Sequence, residues 1–226
     1  MKQLLILLFL PILTFSQNSV FTSISEAMLH PENVVELNLA EQNLTEVPEL
    51  IYKLKNLEKL NLKNNKITTI DPLLFDLPKL KYLNLSKNKL TTIPNQIYKA
   101  NSLEHLSLSY NEITELPDEI IELENLEKLY IQYNKITELP LDFGELKQLK
   151  KLYAQHNIIA FLPASFNYLT NLRALKLHNN NFYKISTNIG GLKRLQLLNI
   201  KNNQFDDYEQ GRIKIQTPSN CKIIWD

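Results

Sequence analysis

Reactive side chains are few in this 226-residue sequence, and those present recur at one interval. Tyr110, Tyr133 and His156 are spaced 23 apart, as are Tyr130, Tyr153 and Lys176, and Tyr82 with His105. On a structure that repeats with that period, these residues form rows of phenol, imidazole and ammonium groups. Such rows offer a ligand large contact area at modest entropic cost. Catalysis asks for more. The sequence has no GxSxG elbow, HExxH pair or glycine-rich phosphate loop, and Cys221 has no histidine in register with it. His156 and His178 fall on adjacent rungs, with His105 two rungs from His156, but a zinc site needs three or four ligands at one point. Glu115, Asp118, Glu138 and Asp142 fall outside the rows and suit a solvated face. The expectation is a protein that is not an enzyme and uses no cofactor or metal.

The same interval governs the elements that must hold these rows. Steps of 23 from Val34 reach Leu57, Leu80, Leu103, Leu126, Leu149, Leu172 and Leu195. Within a unit, Leu60, Leu62, Asn65, Ile67 and Ile70 recur as Leu83, Leu85, Asn88, Leu90 and Ile93, and again as Leu106, Leu108, Asn111, Ile113 and Leu116. Alternation after the opening Leu predicts a strand of about four residues, buried on one side. The asparagines Asn65, Asn88, Asn111, Asn134, Asn157, Asn180 and Asn203 form a polar ladder inside the apolar one. A buried amide must have its donors and acceptor satisfied, and backbone groups of its own and the neighbouring turn can do so. Pro48, Pro94, Pro117, Pro140 and Pro163 follow the turn. Apolar pairs three apart, such as Ile97 with Ala100 and Phe166 with Leu169, then predict a short helical or 3₁₀ turn on the outer edge. Units of this kind are stable only when stacked.

This pattern, LxxLxLxxNxLxxLPxxxxxLxx over residues 34–205, resembles the leucine-rich repeat family in its 23-residue form, with seven full repeats and part of an eighth. Gln42 stands at the first Asn position, Asp71 and Ser186 at two Pro positions, and Ala154 at a strand position that is otherwise Leu or Ile. The resemblance implies an α/β solenoid: a horseshoe arc with a parallel β-sheet on the concave face and short helical or 3₁₀ turns on the convex side. It also implies that the concave face binds ligands.

The ends carry different signals. Residues 1–16 combine a charged start, a nearly unbroken apolar run and small residues before Gln17, which predicts a signal peptide and no integral membrane span after processing. Residues 17–33 form a capping segment, with Ser23 and Glu26 as a possible capping box for a helix running through Leu29. Residues 206–226 form the other cap: a helix opened by Asp206 and Asp207, a stop at Pro218, and a closing strand over residues 221–225. One cysteine cannot form an internal disulfide, and Cys221 is expected to be buried in the cap. Extracellular eukaryotic relatives usually close both ends with disulfides, so the resemblance points to a bacterial exported protein, in the periplasm, at the cell surface or secreted.

Counting from the first Leu of a repeat, positions three, five, seven and eight are expected to face solvent on or beside the concave sheet. Tyr82 and His105 stand at position three, Tyr130, Tyr153 and Lys176 at five, His178 at seven, and Tyr110, Tyr133 and His156 at eight. These nine residues are the candidate ligand-binding set, for a protein, peptide or carbohydrate ligand. Mutual support along a ladder is the plainer role for stacked tyrosines. A net charge of +1 gives no reason to expect nucleic acid. An accessory or effector subunit working with a separate catalytic partner, and a structural envelope protein, are the alternative functions.

Overall fold

A computed structural model describes residues 20–185 and 188–225. The predicted signal peptide, the start of the first cap and Ser186 lie outside the described residues. The rest forms one ten-stranded parallel sheet in which every strand neighbours the next in the chain. The strands are β1 (Val20–Phe21), β2 (Glu36–Asn38), β3 (Lys59–Asn61), β4 (Tyr82–Asn84), β5 (His105–Ser107), β6 (Lys128–Tyr130), β7 (Lys151–Tyr153), β8 (Ala174–Lys176), β9 (Leu197–Asn199) and β10 (Lys222–Ile224). From β2 to β9 each residue pairs with the one 23 later, as Leu37 with Leu60 and Leu152 with Leu175. The solenoid expected from the periodicity is therefore the observed fold.

Three-residue strands cannot stand alone, and the stack supplies what they lack. The central Leu of each strand from β2 to β9 is buried, as are the Leu residues that open repeats two to eight. The asparagine ladder closes the turn after each strand. Asn111 Nδ2 donates to the carbonyls of Leu85 and Leu108 at 3.1 and 2.9 Å, and its Oδ1 accepts from Leu90 N at 3.0 Å. Asn134 does the same with Leu108, Ile131 and Ile113. Each amide thus joins backbone groups of two repeats, which is how a polar side chain is accommodated among leucines.

The outer side consists of 3₁₀ turns, such as Asn95–Lys99 and Asp118–Glu122, each entered through a proline. Repeat two has Asp71 in place of that proline, and its carboxylate accepts from Leu73 N at 2.9 Å, so a side-chain cap substitutes for the fixed proline torsion. Gly144 is required by close packing: a Cβ there would lie 1.9 Å from the Ser165 carbonyl oxygen of the next turn.

Both ends differ in detail from expectation. The N-terminal helix α1 spans only Ile24–Ala27, with Ser23 Oγ accepting from Glu26 N at 3.2 Å, and stops before Leu29. The first cap also contributes β1, a strand the repeat pattern does not reveal. Helix α2 covers Asp207–Gln216, with Asp206 accepting from Glu209 N at 2.7 Å. Of its apolar residues Ile213 is buried, while Tyr208 and Ile215 are exposed. Cys221 is half-buried, not sealed in the cap, and burial pushes its thiol up to about 11.

Candidate functional site

Position eight of every repeat has a backbone constraint that the sequence pattern alone does not state. Glu41, Asn64, Lys87, Tyr110, Tyr133, His156, Asn179 and Asn202 all have φ between 51 and 62°. This left-handed conformation brings Cβ too close to the following carbonyl oxygen, and among non-glycine residues it suits Asn best. Asn stands there in repeats two, seven and eight. In the three repeats from Tyr110 to His156, aromatic rings occupy the position instead.

Those rings stack. Tyr110 and Tyr133 lie with centroids 4.2 Å apart and planes 11° apart, and Tyr133 and His156 at 4.0 Å and 11°. The column extends through Asn179 Nδ2, 3.1 Å from His156 Nε2, to Asn202, whose Nδ2 donates to Asn179 Oδ1 at 2.8 Å. At the other end Lys87 Nζ stands 5.7 Å from the Tyr110 centroid. Beside this column Tyr130 meets Tyr153 edge to face at 5.2 Å, and Lys176 Nζ sits 4.2 Å over the Tyr153 ring. Tyr82 and His105 form a third edge contact at 5.9 Å. The sheet register sets Tyr82, His105 and Lys128 in one row and Ser107, Tyr130 and Tyr153 in the next, so the second and third groups adjoin; burial first, then the neighbouring Tyr153 and Tyr82, raises the Tyr130 phenol above its usual range. All nine candidate residues thus fall into one patch, with His178 touching His156 edge-on at 5.5 Å.

Exposure differs from the expectation. Tyr110 and Tyr133 are exposed, but Tyr130, Tyr153, His156 and His178 are half-buried against one another. In repeats five to seven, position seven does not face solvent freely. Gln132 Oε1, Gln155 Oε1 and His178 Nδ1 are buried between the rows with no hydrogen-bond partner. Burial, then Lys128, lowers the affinity of His105 for a proton, and burial, His156 and Lys176 do the same for His178. Lys128 and Lys151, which the row pattern also contains, were not in the candidate set. Their 23-residue spacing was the available signal.

Among the described residues no group of three or more His, Cys, Asp or Glu could hold a metal ion, and no helix is long and apolar enough to cross a membrane. Sequence profiles described as leucine-rich repeats match residues 32–75 and 55–113, and one described as a leucine-rich repeat region matches residues 102–214. The chain belongs to the leucine-rich repeat family. No curated protein matches the sequence. Solved leucine-rich repeat structures do. Internalin C2 from Listeria monocytogenes is 27% identical with a TM-score of 0.76, covering 87% of this chain and 82% of its own. The functional domain of InlJ from the same organism, which includes a cysteine ladder, is 26% identical with a TM-score of 0.69 over 86% of this chain and 40% of its own. The ectodomain of the Arabidopsis thaliana receptor kinase GASSHO1/SCHENGEN3, in complex with Casparian strip integrity factor 2, is 29% identical with a TM-score of 0.69 over 83% and 23%. This leucine-rich repeat chain therefore spans well under half of the last two.

Proposed function

We propose that this leucine-rich repeat protein is an exported, non-enzymatic binding module that takes a protein or peptide on the concave face of repeats three to seven. One observation carries the reading. Aromatic rings replace Asn at the left-handed position only in the middle of the face, where they add contact area and cost backbone energy of about 1 kcal/mol or more each. Local choices that work against stability concentrate where a surface serves a partner. The stack of Tyr110, Tyr133 and His156 supports the second reading, in which the rings pack against one another only, since such contacts contribute about 0.5–1.5 kcal/mol each.

Affinity and stability separate the two. Partners captured by the mature protein from its native envelope extract are titrated calorimetrically against Tyr130→Ala, Tyr133→Ala and Tyr153→Ala. Loss of about 1–4 kcal/mol of affinity is expected. If affinity holds while thermal stability drops by about 1 kcal/mol, the rows are a packing ladder. Export rests on residues 1–16, and the mass of the mature protein from its host should place the N-terminus at or near Gln17. An intact Met1 on exported protein would refute processing.

A further inference from the structure

Charge on this protein is segregated in a way that its net value conceals. Around the solenoid, lysines pair with acids one rung away. Lys81 meets Glu58 at 3.0 Å, Lys99 meets Asp76 at 2.9 Å, Lys135 meets Glu112 at 2.9 Å, and Lys150 meets Glu127. All four pairs join residues 23 apart. On the concave face such pairing ends with Lys59 and Glu36, which meet at 3.0 Å. Beyond Glu41, positions three, five, seven and eight hold no Asp or Glu, yet besides the paired Lys59 they hold Lys63, Lys87, Lys128, Lys151, Lys176 and Lys201.

The centre of the face is the most one-sided. Lys128 and Lys151 are direct neighbours in the β6–β7 register, on strands about 4.8 Å apart. Both are half-buried and neither forms an ion pair among the described residues, while the Glu127 carboxylate feels the Lys128 charge from the rim. Like charges directly opposite each other weaken a sheet. Glu104 and Glu127 stand on the rim one residue before the strands, and Glu127 is engaged by Lys150. The tyrosines beside the lysines present a matching surface. Stacking covers both ring faces of Tyr133 and one each of Tyr110 and His156, and Lys176 covers a face of Tyr153. Stacking within the column thus takes up ring face and favours the ring edges, which carry the positive part of the aromatic quadrupole. A sugar or a nucleobase needs an open ring face on which to stack, whereas a carboxylate needs donors and positive charge.

From this we infer that the concave face binds an acidic polypeptide segment, its carboxylates received by Lys128, Lys151 and Lys176 and by the tyrosine hydroxyls between them. The inference rests on the concave-face reading above and names the chemistry of its partner. Burial and then Lys128 lower the proton affinity of His105 more than Glu104 and Glu127 on the rim raise it.

Fluorescence anisotropy with labelled oligoglutamate, oligolysine and sulfated oligosaccharide probes tests it. Oligoglutamate should bind the mature protein and weaken steeply when salt rises from about 50 to about 500 mM. The double variant Lys128→Gln with Lys151→Gln should weaken binding about tenfold. It should melt no earlier than the parent, since a repulsive pair is relieved. The convex double variant Lys53→Gln with Lys55→Gln, with the same change in net charge, should bind like the parent. Equal weakening by both double variants, or no oligoglutamate binding, overturns the inference. Tight binding of the sulfated sugar with oligoglutamate silent overturns the peptide assignment. If a captured partner depends on Tyr130 and Tyr153 but not on salt or on Lys128 and Lys151, the face binds without carboxylates, and only this inference falls.

Discussion

At the scale of single residues, one backbone torsion organises the candidate site. The left-handed turn at position eight recurs in all eight repeats, and from the second repeat on the following Asn bonds back to the carbonyl three residues earlier. Each non-Asn occupant therefore bears a conformational cost, and Glu41 shows it without an offsetting stack. Glu41→Asn is expected to raise stability by about 0.5–1 kcal/mol, read as a higher denaturation midpoint at unchanged m-value. Tyr133→Asn should gain the same backbone term but lose two ring contacts, at about 0.5–1.5 kcal/mol each, and come out neutral or less stable. A gain at Tyr133 as large as at Glu41 would show that the stack contributes nothing.

At the scale of elements, the C-terminal cap depends on a buried charge that no repeat motif announces. Glu209 is 5% exposed, its Oε1 accepts from Ile185 N at 2.7 Å, and its carboxylate is forked by Arg212. Arg212 also donates to the Ile185 carbonyl. This fastens α2 onto the seventh repeat. Burial works against the carboxylate, but the Arg212 guanidinium and the Ile185 amide outweigh it and hold Glu209 below the usual 4.5. A depressed carboxyl contributes stability that is complete above its unfolded value and is lost as pH falls through the folded one. Thermal melts between about pH 7 and 3 should show the parent losing this increment below about pH 4.5. Glu209→Gln should be less stable at neutral pH by about 1–3 kcal/mol and lack that part of the acid dependence. Parallel curves for the two proteins would refute the role.

At the scale of the whole molecule, contacts run only between neighbouring rungs, so stability is close to a chain of nearest-neighbour terms. Leu129 is fully buried in β6 and packs into a core shared with the repeats on either side. Leu129→Ala should cost about 2–5 kcal/mol. Its effect should be local first: hydrogen exchange of β5 to β7 accelerates before that of β2 or β9. Uniform acceleration from end to end would mean that the stack unfolds as one unit.

Much of this was legible from spacing alone. The 23-residue interval determined the stack, the buried leucines, the asparagine bonds across repeats and the 3₁₀ side, because each follows from a local rule applied at every rung, while the parallel sheet and its concave face came from the resemblance to leucine-rich repeats. The same interval placed Tyr82 to His178 on one face. What periodicity leaves open is the state of residues whose environment is set by a neighbouring rung. The left-handed torsion under Tyr110, Tyr133 and His156, their face-to-face stacking and the sealed atoms of Gln132 and Gln155 depend on distances between strands. So do the closing strand β1 and the Glu209–Arg212 fastening, since an end has a partner on one side only and no repeat from which to infer it. Sequence fixes which side chains share a row; packing decides whether they face a ligand, each other or nothing at all.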